Sequence, residues 1–145
     1  MKEIIIYKSK TGFTKQYAMW ISEETGIEAK SIKEIKLKSL RDYDRVIYGE
    51  FIMASTLRVY KKIRKFNPNI VCFAVGLSSY EEVNIEDIKA KSEIDGELFF
   101  LRGGVNFDKL SLIPRFLLKK VTGYKENHDF SNKEAINNLV DYIKG

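Results

Sequence analysis

An open α/β domain, with a parallel sheet covered by helices on both faces, is the fold class this sequence predicts. Three observations predict it. Short apolar runs recur at 4–6, 45–49, 69–75 and 97–102; stretches of helical period lie between them; and the first run ends in a turn crowded with hydroxyls. The 145 residues are 44% hydrophobic, enough for one well-buried core and too few for two, so residues 1–145 are expected to form a single domain.

The first strand, around Ile4, Ile5 and Ile6, runs into Tyr7, Lys8, Ser9, Lys10, Thr11, Gly12, Phe13, Thr14 and Lys15. This arrangement suits an anion. The first N–H groups of a helix have no intrahelical partner and face outward with the positive end of the helix dipole. Ser9, Thr11 and Thr14 add hydroxyl donors, and Gly12 lets the backbone approach a ligand with no Cβ in the way. The alternative is an ordinary turn whose Ser and Thr cap the helix. Neither G-x-x-x-x-G-K-[ST] nor G-x-G-x-x-G is present, which argues against a nucleoside triphosphate loop and a dinucleotide fold.

Tyr17, Trp20 and Ile21 recur at helical spacing and Gly26 is placed to end that helix, which makes Trp20 a packing residue. Residues 27–32 read as a second strand, followed by a charged connection to Asp44. After the third strand, Leu57, Tyr60, Ile63 and Arg64 predict a basic amphipathic helix stopped before Pro68. The fourth strand, 69–75, holds Cys72, the sole cysteine, expected to be a buried inert thiol in a reducing cytoplasm. Val83, Ile85 and Ile88 suggest a short helix to about Ser92. The fifth strand, 97–102, is broken by Gly103 and Gly104. A basic amphipathic stretch from Leu110 to Val121 follows, and Ser131 to Glu134 reads as a capping box for a last helix bearing Ile136, Leu139, Val140 and Ile143.

The pattern S-x-T-G-x-T after the first strand resembles the FMN phosphate loop of the flavodoxin-like family. That resemblance implies that Ser9, Thr11, Gly12, Phe13, Thr14 and Lys15 surround the phosphate of FMN, with Lys10 at the variable position. It also implies a three-layer flavodoxin-like fold whose five-stranded parallel sheet has the order 2-1-3-4-5. Receiver domains share the order but require acidic residues after the first strand, where Lys8 and Ser9 stand. Ligands of such sheets bind beyond the carboxyl ends of the strands. The flavin ring should therefore lie between Phe51, Ile52, Met53 and Ala54 on one loop and Gly76, Leu77, Ser78, Ser79 and Tyr80 on the other. Tyr80 is the stacking candidate.

Flavodoxins that carry single electrons commonly place a glycine in the loop after the third strand, where a peptide can rotate on reduction. Residues 51–55 contain none, which favours two-electron chemistry and an oxidoreductase over an electron carrier. The segment 102–110 is similar to the insertion of flavodoxin-like, menaquinone-linked protoporphyrinogen oxidases. By that resemblance the substrate is protoporphyrinogen and the acceptor a quinone. Arg102, Arg115, Lys119 and Lys120 would face propionates, and Leu112, Ile113, Phe116, Leu117 and Val121 would touch the membrane peripherally. An ordinary core-facing helix with a basic outer face is the alternative.

His128, the only histidine, reads as a surface residue in a polar turn, so no metal site and no His-based nucleophilic set is expected. The net charge of +5 is spread along the chain without a nucleic-acid module, so no nucleic-acid partner is expected; the partner is a small molecule or a redox protein. No apolar run approaches the roughly 20 residues of a membrane span. A flavin carrier protein and a flavin-free interaction domain are the competing classes.

Overall fold

The computed structural model describes residues 1–109, 116, 117, 120, 123, 124 and 126–145. Five parallel strands form the sheet: β1 (Glu3–Lys8), β2 (Ala29–Ser31), β3 (Arg45–Phe51), β4 (Ile70–Gly76) and β5 (Leu98–Arg102). Their order is β2-β1-β3-β4-β5, the order expected for a flavodoxin-like fold. Ile5 pairs with Ile47, Ile47 with Val71, and Phe73 with Phe99, so the apolar runs of neighbouring strands stand side by side.

Successive side chains of a strand point to opposite faces, and two separate apolar layers follow from that period. Ile4, Ile6, Val46, Tyr48, Cys72 and Ala74 pack with Tyr60 and Ile63 of α2 (Tyr60–Arg64) and Ile88 of α3 (Ile85–Ser92). Ile5, Tyr7, Ile47, Val71, Phe73 and Val75 pack with Tyr17, Ala18 and Ile21 of α1 (Phe13–Thr25). Leu139, Val140 and Ile143 of α4 (Asn137–Lys144) complete that layer. Full burial of Ile5, Ile47 and Phe73 stabilises the fold by about 1.5–3 kcal/mol for each side chain. Gly49 makes room for the largest of them, since a Cβ there would fall 2.0 Å from Phe73 Cζ. Cys72 is free and buried, and burial pushes its thiol pKa up, so it is inert packing as expected.

Several elements differ from expectation. β2 is only Ala29–Ser31, and the charged connection after it coils into two 3₁₀ turns, Ile32–Glu34 and Leu37–Asp42. The first is led by a capping box, Ser31 with Glu34, not anticipated from the sequence. The helix expected from Leu57 starts at Tyr60, because side chains from elsewhere hold the approach: Leu57 N–H donates to Ser92 Oγ at 2.9 Å, and the Arg58 and Val59 N–H groups donate to Glu50. Gly103 and Gly104 do not simply end β5. Gly104–Val105 forms a strand, β6, antiparallel to β7 (His128–Asp129). Ser131 does not cap the last helix: its hydroxyl donates to Asp129, and Asn132 caps a 3₁₀ turn, Lys133–Ile136, that leads into α4.

The expected amphipathic stretch from Leu110 to Val121, with Leu112, Ile113, Arg115, Lys119 and Val121, lies outside the described residues apart from Phe116, Leu117 and Lys120, which are exposed. Among the described residues no helix is long and apolar enough to cross a membrane.

Candidate functional site

α1 begins directly after the hydroxyl-rich turn, and its start is open. Gly12 occupies the capping position in the left-handed region, φ +98°, with no side-chain cap among the described residues and no acidic residue in the first turn. Ser9 Oγ accepts the Gly12 N–H at 3.2 Å, which shapes the turn without closing the helix. Thr11 is half-buried and Thr14 buried, while Lys10 and Lys15 are exposed. Phe13 folds back over the end of the sheet: a Cβ on Gly104 would fall 2.6 Å from Phe13 Cζ, and one on Gly103 3.5 Å from Phe13 Cβ.

The segment after β5 forms the opposite wall. Gly103 N–H donates to the Gly76 carbonyl and Phe130 N–H to the Gly103 carbonyl, so both outgoing and returning chains are tied to the sheet edge. Tyr17 joins the same edge to α1; its hydroxyl donates to the Arg102 carbonyl and accepts the Asn132 N–H at 3.1 Å. Burial pushes the Tyr17 pKa well above the ordinary tyrosine value, which keeps it a neutral strut. Between the walls lies a cleft of about 470 Å³, with Thr11, Gly12 and Phe13 at one end and Gln16 and Trp20 along α1. Asn106, Lys109, Asn127 and His128 face them.

His128 is therefore not a residue of a polar surface turn. It is half-buried in β7, stacked on Phe130 at 5.4 Å with the planes 7° apart, and meets Tyr124 at 4.7 Å. Trp20 packs edge-on against Tyr17, as the helical spacing predicted, and also lines the cleft. Arg102 places its guanidinium 3.8 Å from the centre of the Phe130 ring, and its Nε donates to the Leu77 carbonyl at 3.3 Å. It is committed to holding the chain, so the expectation that it meets substrate propionates gains nothing from its placement.

The other two predicted loops lie at the same sheet edge. Ile52 N–H donates to the Val75 carbonyl at 2.8 Å, and the Ile52 side chain covers Gly76, where a Cβ would fall 2.9 Å from Ile52 Cδ1. Phe51 reaches toward Gly103, beside Phe13. Met53 and Thr56 exchange two backbone hydrogen bonds around Ala54 and Ser55, which have φ of 52° and 59°. This glycine-free loop thus already holds two residues in the left-handed region, each at a cost of about 1–3 kcal/mol. Buried Glu50 anchors it from behind, accepting the Tyr48 hydroxyl at 2.6 Å, Arg58 N–H at 2.9 Å and Val59 N–H at 3.0 Å. Leu77 is half-buried, Ser78 exposed, and Ser79 accepts the Glu82 N–H groupwise through its hydroxyl and carbonyl. Tyr80 is 51% exposed, edge-on to Phe100, and its hydroxyl accepts the Arg102 N–H at 3.0 Å. Met53, 48% exposed, is the other large apolar side chain left open on these loops.

Lys109 was not singled out from the sequence, yet its ammonium lies 3.3 Å from where a Cβ on Gly12 would sit. Its distance from Gly12 along the chain leaves no periodic signal. Gly103 and Gly104, which permit the close approach of Phe13 and of the returning strand, are the sequence clue that a second segment packs there.

A 2-1-3-4-5 parallel sheet with a glycine-led helix start after its first strand defines a doubly wound α/β domain. The chain belongs to the flavodoxin domain family, whose pattern it matches over residues 4–132. Among solved structures it is similar to a flavodoxin from the domain Archaea, with 20% identity and a TM-score of 0.49 over 77% of this chain and 90% of that one. It is also similar to oxidised Flavodoxin 2 from Bacillus cereus, with 17% identity and a TM-score of 0.49 over 70% of this chain and 84% of that one. No curated protein matches the chain.

Proposed function

We propose that this chain binds FMN noncovalently and works as an FMN-dependent oxidoreductase. The observation that carries the reading is the open start of α1. Gly12, the capping residue, puts no Cβ over the first N–H groups, and among the described residues no side chain caps them. A phosphate monoester fits that gap. Thr11 and Thr14 supply hydroxyls beside it, with Ser9 shaping the turn and Phe13 anchoring it to the sheet edge. Met53 and Tyr80 offer apolar and aromatic surface for a planar ring on the adjoining loops, together with Phe51, Ile52, Ala54 and the backbone of 76–79. FMN, when bound, supplies the redox chemistry; the chain's part is to bind, orient and shield it.

Two-electron chemistry is favoured over one-electron carriage by the loop after β3. Its turn is closed by both hydrogen bonds between Met53 and Thr56, and its two left-handed positions are already filled by residues with a Cβ. Rotation of a peptide that carries the Met53 or Thr56 hydrogen-bonding groups would break that pairing. The narrower reading, oxidation of protoporphyrinogen with a quinone acceptor at a membrane surface, draws on Phe116, 73% exposed, with exposed Leu117 and Lys120. A flavodoxin-type carrier fits the same cradle and differs in its reduction.

Titration with FMN tests the cradle. Wild type should bind with saturable quenching of flavin fluorescence, and Thr11→Ala with Thr14→Ala should lose more than roughly tenfold in affinity, two donors to a charged acceptor being removed. Unchanged affinity in the double variant overturns the assignment. Stepwise anaerobic reduction then separates the classes: bleaching with one set of isosbestic points means two-electron chemistry, and a transient long-wavelength band of near-full yield means a carrier.

A further inference from the structure

We infer that Lys109 is a phosphate ligand, brought in from the segment after β5 to close the open side of the α1 start and to make binding selective for the phosphorylated flavin. The inference rests on the FMN reading above and adds a residue from a distant part of the chain. Its ammonium approaches Gly12 to within 3.3 Å of a Cβ position, so an anion seated on the first N–H groups of α1 lies within reach of a full positive charge. Lys10 and Lys15, though nearer in sequence and exposed like Lys109, do not line the cleft, whereas Lys109 does.

The turn that carries Lys109 is built to hold it there. β6 and β7 pair Gly104 with Asp129 and Val105 with His128, fixing where the segment leaves and returns. Asn127 clamps the turn from the returning side: its Oδ1 accepts the Phe107 N–H at 2.8 Å and its Nδ2 donates to Asp108 Oδ2 at 3.2 Å. Lys109 N–H donates to the Asn106 carbonyl at 3.3 Å, and Phe107 is buried with Val105. Among the described residues two carboxylates stand in the neighbourhood, Asp108 and Asp129, and both are engaged. Asp108 receives the Asn127 amide, and Asp129 receives the Ser131 N–H and hydroxyl. Lysine binds phosphate as a point charge, so its contribution at an exposed position is strong at low salt and screened at high salt.

Wild type, Lys109→Gln and Lys109→Arg should each be titrated with FMN and with riboflavin, at low and high ionic strength. The expected result is that Lys109→Gln weakens FMN about tenfold at low salt, leaves riboflavin affinity within about twofold, and flattens the salt dependence, while Lys109→Arg keeps most of it. If wild type binds FMN and Lys109→Gln matches it in affinity and salt response, the role of Lys109 is overturned and the cradle stands. Equal weakening of FMN and riboflavin also overturns it, since that reports a structural role. If wild type binds no FMN, the FMN reading itself fails and this inference with it.

Discussion

The starts of α1 and α3 both lie beyond the carboxyl ends of sheet strands, and they are finished in opposite ways. At α3 the protein closes its own helix: Asn84 accepts the Asp87 N–H at 3.0 Å, and Glu86 and Asp87 sit in the first turn against the positive end of the dipole. At α1 there is a left-handed glycine, no side-chain cap and no acid. α2 falls with α3, since the N–H groups of Arg58 and Val59, just before it, end on Glu50. The contrast teaches that the hydroxyls after β1 are not ordinary caps. On the FMN reading proposed above they surround donors left for a ligand, whereas the loop after β3 takes its shape from the buried Glu50 carboxyl group.

Substitutions at the three starts sharpen this contrast. The largest loss of stability is expected for Glu50→Ala, about 3 kcal/mol by chemical denaturation, because three hydrogen bonds to a buried carboxyl group vanish together. A loss below about 1 kcal/mol would mean that the loop after β3 holds its left-handed turn without that anchor. Gly12→Ala should cost less, roughly 1–2 kcal/mol, for forcing a Cβ into φ +98°. It should cost far more in FMN affinity than Glu50→Ala does, since the new Cβ enters the cradle itself. Asn84→Ala is the smallest, about 1 kcal/mol of stability with FMN affinity unchanged. An Asn84 variant that lost FMN binding would break the comparison, because a closed helix start would then be acting as an open one.

The sheet was legible because a period of two is written into each strand: Ile4 to Tyr7 and Val71 to Val75 distribute themselves between two apolar layers with no help from other segments. The end of α1 was legible for a similar reason, Gly26 sitting at φ +74° where the helix must stop. What the sequence hid depends on contacts between distant residues. The late start of α2 is set by Glu50 and Ser92; the pairing of Gly104–Val105 with His128–Asp129 spans the whole excursion after β5. For the site, the turn at Ser9 to Lys15 announced itself by residue type, but Lys109, Asn127 and His128 reach the cleft through that long-range pairing. The left-handed Ala54 and Ser55 were hidden too, since neither residue type signals that conformation.

On the FMN reading the first N–H groups of α1 receive a phosphate ester, and amide resonances test this directly. In ¹⁵N-labelled protein titrated with FMN and, separately, with riboflavin, the backbone amides of Gly12, Phe13, Thr14 and Lys15 should shift strongly with FMN. With riboflavin they should stay near their free positions, and Ile85 to Asp87 at the start of α3 should show no phosphate-dependent shift. The contradicting result is an FMN titration that saturates with the Gly12 to Lys15 amides unmoved, or moved equally by riboflavin.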